Sequence, residues 1–282
     1  MFRLGPIVFY GFRLGPIVLH WYGFFMALAI LVGVQVGSRQ VGRQGQDPDL
    51  FLDMLPWILI PALVGARLYY VFIQSPRGPE GLGRYLADPW QILNLRSGGI
   101  HIFGAFIFGA IALWLYSRWH KVPLLTYLDG IGLALPLSQA IGRWGNFINQ
   151  ELYGPPTTLP WGLKIDPIHR LVPYNDLAQY PETVRFHPLF LYEMLWNTAG
   201  FCLIFWISRR FERQLQPGDL ILLYLIWYPL GRFLIEFLRT DSWFFAGTPF
   251  NTVHLLSSTA IALAGITLYR RHFARQSAQK TP

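Results

Sequence analysis

LLTYLDGIGLALPLSQAIGRWGNFINQELYG, residues 124–154, decides how this chain is read. Residues 124–142 form an apolar run close to the roughly 20 residues needed to cross a bilayer. Directly after it, Arg143, Asn146, Asn149, Gln150 and Glu151 fall within nine positions. In a soluble protein such a cluster is a loop. At the end of a membrane span it marks a site.

The rest of the chain supports the membrane reading. Of 282 residues, 53% are hydrophobic and 13% charged, about half the charged share of an ordinary soluble domain. Further apolar runs cover 19–36, 54–73, 98–116, 188–207, 219–238 and 250–269. They are apolar on nearly all sides, which argues against a soluble amphipathic bundle. The expectation is an all-α integral membrane protein with about seven transmembrane helices, forming a single polytopic domain over 1–282. The polar stretch 146–186, rich in Pro, Asn and Asp, becomes a small external, periplasmic-side head insert.

Trp21, Tyr22, Trp57, Trp90, Trp119 and Trp243 sit near the ends of runs, as interfacial belts require. The net charge of +8 then reflects anionic membrane lipids and orientation, not nucleic acid. Cys202 is the only cysteine, which excludes an internal disulfide, and its place in an apolar run points to packing. The first run has no small-residue cleavage pattern and reads as a retained helix. Arg39 and Arg43, Arg118 and Lys121, Arg209, Arg210 and Arg213, and finally Arg270, Arg271, Arg275 and Lys280 fall in the short segments after the first, third, fifth and seventh runs. The positive-inside rule makes those segments cytoplasmic, with the N-terminus outside and the C-terminus inside. FRLGPIV at 2–8 recurs at 12–18; two copies at so short a period exclude a solenoid and suit an extended arm.

Arg67, Arg143, Arg232, Asp129, Glu193 and Glu236 remain within or at the edges of apolar runs. Ionisable residues there are costly and mark function by default, although an arginine at a helix end, such as Arg67, can snorkel. Arg232, Glu236 and Arg239 follow i, i+4, i+7 spacing and form a polar stripe on one helix face. One glutamate does not neutralise two arginines. With Arg143 added, the positive excess calls for an anion, and guanidinium forks fit phosphate where lysine does not.

These residues carry a family resemblance. GRWGNFINQELYG (142–154) closely resembles the signature of the phosphatidylglycerol:prolipoprotein diacylglyceryl transferases. GPIVLHWYG (15–23), GARLYYV (65–71), RSGGI (96–100), HPLFLYE (187–193) and GRFLIEFLR (231–239) resemble further motifs of that family, in order along nearly the whole chain. The resemblance implies a seven-helix body with an external head in the bacterial cytoplasmic (inner) membrane. Its implied activity is transfer of the diacylglyceryl group of phosphatidylglycerol to the lipobox cysteine in a prolipoprotein signal peptide. It implies phospholipid contacts from Arg143, Asn146 and Arg232, essential roles for Tyr22, Asn149 and Glu151, and supporting roles for Gly154 and Glu236. Arg239 and His101 join the substrate-binding set. No metal or other cofactor is expected.

Two positions depart from the family pattern. The histidine of many members falls on Phe103, with His101 nearby, and Leu189–Phe190 replaces a polar pair. If the third helix begins near Gly99, His101 and Phe103 point about 200° apart. Either Gly98 and Gly99 unwind that segment, or no histidine acts there. Glu151, Tyr22, His20 and His101 are the candidates for taking the thiol proton. The alternative reading from the intramembrane charges is a transporter or ion-coupled carrier.

Overall fold

The computed structural model describes residues 11–14, 17–74, 81–94, 98–240, 242, 244 and 248–273. Arg3, Arg77, Arg96, Trp243, Arg275, Lys280 and the first FRLGPIV copy lie outside them. The second copy falls on an antiparallel hairpin of β1 (Gly11–Leu14) and β2 (Ile17–His20), with Leu14 opposite Ile17. The other regular elements among the described residues are helical. Among those residues, six helices are long and apolar enough to cross a membrane: Trp21–Arg43, Pro48–Ile73, Ile102–Trp119, Leu124–Ile148, Leu189–Arg210 and Thr252–His272. The run at 219–238 is also a helix, Asp219–Glu236, but it carries Asp219, Arg232 and Glu236. In chain order these are α1 (Trp21–Arg43), α2 (Pro48–Tyr69), the short α3 (Gly81–Ala87), α4 (Ile102–Trp119), α5 (Leu124–Ile148), α6 (Leu189–Arg210), α7 (Asp219–Glu236) and α8 (Thr252–His272).

The chain forms two compact units, Val41–Tyr127 and the combination of Met1–Gln40 with Leu128–Pro282. In the first, α2 packs on α4 through small residues. A Cβ on Gly104 would run into the Gly65 carbonyl, so the two backbones meet there, the close approach that membrane helices use in place of a hydrophobic drive. Arg67 is buried. It does not snorkel and, among the described residues, pairs with no acid: its guanidinium donates to the carbonyls of Gln91 (2.6 Å), Ile92 (2.9 Å), Gly98 (2.5 Å) and Gly99 (2.7 Å). That wraps the segment before α4 around one side chain. Gly98 and Gly99 adopt φ of 76° and 73°, left-handed values that favour glycine. The third apolar run is therefore not helical from Gly99; the helix starts at Ile102.

In the second unit, the Asp129 carboxylate on α5 accepts from the backbone N–H groups of Gly218 (2.7 Å), Leu220 (2.8 Å) and Ile221 (3.2 Å). It satisfies donors that the start of α7 would leave orphaned, and it complements the helix dipole. Asp129 is thus structural. Asp219, fully buried, pairs with Arg271 and His272 of α8. Leu133, Ile204, Leu220 and Tyr224 form the core where α5, α6 and α7 meet. Trp196 of α6 and Trp227 of α7 stack at 4.6 Å, and each indole N–H donates to the other's backbone carbonyl at 3.0 Å. Gly200 and Gly231 make room for the clasp, since a Cβ at either would collide with an indole. Cys202 is exposed on α6.

Between α5 and α6 the backbone is irregular but has its own core of Tyr153, Ile165, Tyr174 and Phe186. Arg170 is buried against the Phe186 ring and donates to the carbonyls of Ile165 and Tyr180, both at 2.8 Å. Burial raises the pKa of Tyr153 and Tyr174 above the ordinary tyrosine value.

Candidate active site

Helix α5 runs to Ile148, so Arg143 and Asn146 stand on its last turns, three residues apart on one face. Beyond it the chain turns sharply, with positive φ at Gln150 and Leu152. The turn folds Glu151 back: its N–H donates to the Asn146 carbonyl at 2.8 Å, and its carboxylate accepts from the side-chain amides of Asn146 (3.1 Å) and Asn149 (3.2 Å). Asn146 in turn accepts from Arg143 at 3.2 Å. Arg143 ion-pairs with Glu193 of α6, whose side chain is 5% exposed. The polar cluster that opened the sequence reading is therefore one connected network, Glu193–Arg143–Asn146–Glu151–Asn149.

Two glycines and one neighbour hold this turn in place. Gly154 approaches the end of α7 so closely that a Cβ would sit 2.9 Å from the Leu238 carbonyl oxygen, and its N–H donates to His187 at 2.8 Å. Gly145 accommodates the Tyr22 ring from the start of α1, while Tyr22 remains 39% exposed. Gln150 exchanges two 2.7 Å hydrogen bonds with Asp166, tying the turn to the irregular segment. His20, two residues before Tyr22 in sequence, is exposed at the end of β2.

On α7, Arg232 pairs with Glu236 at 2.8 Å, one helical turn away. The stripe does not continue as the spacing implies: α7 ends at Glu236, and Arg239 sits in the following turn, its N–H donating to the Glu236 carbonyl at 3.1 Å. Nor is Arg143 a surplus charge. Glu193, distant in sequence, neutralises it, so each of the two arginines has its own carboxylate. What remains is directional. Arg143 Nε and Arg232 Nη1 are buried and have no hydrogen-bond partner among the described residues. Such donors in a low-dielectric place are costly to leave unmade and ready for an anion. The pairs are neighbours: Glu193, the partner of Arg143, lines one small cavity with Arg232 and Tyr228.

His101 belongs to the other compact unit. It is the N-cap of α4: its Nδ1 accepts from the Phe103 N–H at 3.3 Å, and its ring stacks on Tyr69 at 4.8 Å. Burial lowers its pKa. Gly98 and Gly99 do interrupt the helix here, so His101 precedes α4 and the 200° argument does not apply.

Sequence reading missed Asn251, the N-cap of α8. Its Oδ1 accepts from Val253 (2.8 Å) and His254 (3.2 Å), while its Nδ2 donates to Glu236 at 2.9 Å. An Asn before an apolar run is a capping signal; the second bond, to another helix, leaves no trace in local sequence. Among the described residues, no group of His, Cys, Asp and Glu is placed to hold a metal ion.

Comparison with known proteins matches this arrangement to one family. The sequence model described as prolipoprotein diacylglyceryl transferase covers residues 9–270. The phosphatidylglycerol–prolipoprotein diacylglyceryl transferase of Chloroflexus aggregans is 40% identical over 268 residues, spanning 90% of this chain and 86% of its own. That of Synechocystis is 39% identical over 268 residues, spanning 93% and 88%. That of Synechococcus elongatus is 43% identical over 227 residues, spanning 79% and 74%. With the match running through every segment that builds the polar network, the chain belongs to the prolipoprotein diacylglyceryl transferase family.

Proposed function

We propose that this site transfers the diacylglyceryl group of phosphatidylglycerol to the lipobox cysteine of a bacterial prolipoprotein, as the first step of lipoprotein maturation. The thiol sulfur attacks the glycerol carbon, a thioether forms, and glycerol phosphate leaves. Because the carbon–oxygen bond breaks, negative charge grows on phosphate. The observation that carries this reading is the pair of carboxylate-anchored arginines, Arg143 and Arg232, each with a buried N–H unspent. Donors fixed in advance beside a developing charge stabilise it without reorganisation. Asn146 and Asn149, aligned by Glu151, add neutral donors. Tyr22 and Gly154 shape the approach, and Glu236 and Arg239 flank the far side. The carrier reading is not favoured, since the family and its named members are transferases.

In this reading the protein lies in the cytoplasmic membrane, with α7 as the seventh span; its 18 residues rise about 27 Å, close to the hydrocarbon thickness. The segment between α5 and α6 is the external head, and the N-terminus faces outside. The transfer itself is tested with purified protein, phosphatidylglycerol and a lipobox peptide: a peptide mass increase equal to the diacylglyceryl group supports the reading, and lipid flux without peptide modification favours a carrier.

Orientation has its own test. In a Cys202→Ser background, cysteines at Asn175 in the head and at Gln214 between α6 and α7, both exposed, are expected to react with a membrane-impermeant maleimide from opposite sides. Labelling of both from one side contradicts the topology.

A further inference from the structure

The reaction needs a group to take the thiol proton, because only the thiolate attacks well and an ordinary cysteine ionises with a pKa of about 8.5. The carboxylates of the network each have a partner: Glu151 accepts from two amides, Glu236 pairs with Arg232 and accepts from Asn251, and Glu193 is ion-paired with Arg143, while its other oxygen has no hydrogen-bond partner among the described residues. His101 spends its Nδ1 on capping α4.

His254 is differently placed. It lies three residues beyond Asn251, so it shares the face of α8 that Asn251 ties to Glu236. Its ring is held between Phe233 and Phe237, with centroids 4.4 and 4.6 Å away, and its Nε2 lies 3.1 Å from the Phe233 carbonyl oxygen. A carbonyl only accepts, so Nε2 carries the hydrogen and the neutral ring keeps its lone pair on Nδ1. Nδ1 has no hydrogen-bond partner among the described residues. The histidine lines a cavity of about 710 Å³ with Glu236, Arg239, Ser242, Phe250 and Asn251, a size that suits a ligand site. Among the described residues, Glu236 and Arg239 are the charged groups that line that space. The cavity opens beside the Arg232–Glu236 pair.

We propose that His254 Nδ1 is the proton acceptor for the incoming substrate thiol, an assignment that rests on the transferase reading. The S–H proton moves to Nδ1 and forms an imidazolium. The sulfur electron pair forms the carbon–sulfur bond as the carbon–oxygen pair departs on the phosphate oxygen of glycerol phosphate, and the imidazolium returns its proton to water. An imidazole with an unshared ring-nitrogen lone pair is a common proton acceptor in such steps. The backbone carbonyl fixes the tautomer, and the two phenylalanines fix the ring.

The test uses the full chain in phosphatidylglycerol nanodiscs with a lipobox peptide, measuring single-turnover rates from about pH 6 to pH 9. His254→Gln retains a donor for the Phe233 carbonyl and is expected to stay folded and to bind phosphatidylglycerol. Its rate near neutral pH should fall about 10²–10⁴-fold, with the deficit narrowing as pH rises and the thiol ionises unaided. Added imidazole should accelerate His254→Ala. A His254→Gln rate within about threefold of the native one at every pH, or a folded His254→Ala equally impaired at every pH and indifferent to imidazole, overturns the assignment. In both cases an active native protein keeps the transferase reading intact; a native protein without transfer removes both.

Discussion

Arg143→Lys and Arg232→Lys are each expected to lower transfer about 10²–10³-fold while leaving the protein folded, the loss seen when one fixed donor to a developing anion is removed. Charge is kept in both, so the loss isolates geometry. Arg143 uses one terminal nitrogen on Glu193 and the other on Asn146, with Nε still unpartnered. A lysine has a single nitrogen on a flexible stem and cannot hold both neighbours while presenting a further N–H. Arg232 likewise pairs through Nη2 and keeps Nη1 unpartnered. The fall should appear in turnover more than in phosphatidylglycerol affinity, because the donors matter most when charge reaches the phosphate. Steady-state kinetics in mixed micelles decide this; near-native turnover in either lysine variant ends the forked-donor account for that position.

Glu151→Ala is expected to have the next largest effect, about 10²-fold or more, because it releases two donors together. The Glu151 carboxylate is the common acceptor of the Asn146 and Asn149 amides. Without it both amides rotate freely, and Asn146 loses its orientation toward Arg143. His101→Ala makes the contrast. It removes an N-cap, a change worth about 1 kcal/mol of local stability, and should leave transfer within about tenfold of native, the expectation for a residue that is not the general base. Comparing the two variants by peptide mass gain and by thermal unfolding separates a loss of chemistry from a loss of stability. Abolished transfer in a folded His101→Ala protein would falsify this division of roles.

The helices are the most legible part of this protein, because hydrocarbon allows so few backbone solutions that a long apolar run is already a helix. Charges at run ends were harder to read. Arg67 looks the same in sequence as a binding arginine, yet it gathers four backbone carbonyls, and this is why α4 begins at Ile102 and not where its apolar run begins. Asp129 looks like an intramembrane acid and is a cap for a helix that starts about ninety residues later. Adding Arg143 of α5 to the charges of α7 gives a positive excess, because the partner of Arg143, Glu193, lies on α6 and obeys no local spacing. Arg239 was placed on the Arg232 face by arithmetic that assumes the helix continues; it stops at Glu236. The site's residue types were visible in GRWGNFINQELYG, but the sharp turn at Gln150 and Leu152 that folds Glu151 back under Asn146 was not. Asn251 and His254 escaped notice because their meaning depends on which carbonyl and which carboxylate α7 brings to them.

The central claim is that a glycerol carbon–oxygen bond is broken and its carbon passed to sulfur. The most direct measurement gives the purified protein phosphatidylglycerol carrying one label in the acyl chains and another in the headgroup glycerol, together with a lipobox peptide. The acyl label should enter the peptide in a form that resists neutral hydroxylamine, as O-acyl esters on a glycerol joined to cysteine by a thioether, and the headgroup label should leave as glycerol phosphate in equal amount. Headgroup label on the peptide, free glycerol in place of glycerol phosphate, or acyl label released from the peptide by neutral hydroxylamine, as from a thioester, would contradict it.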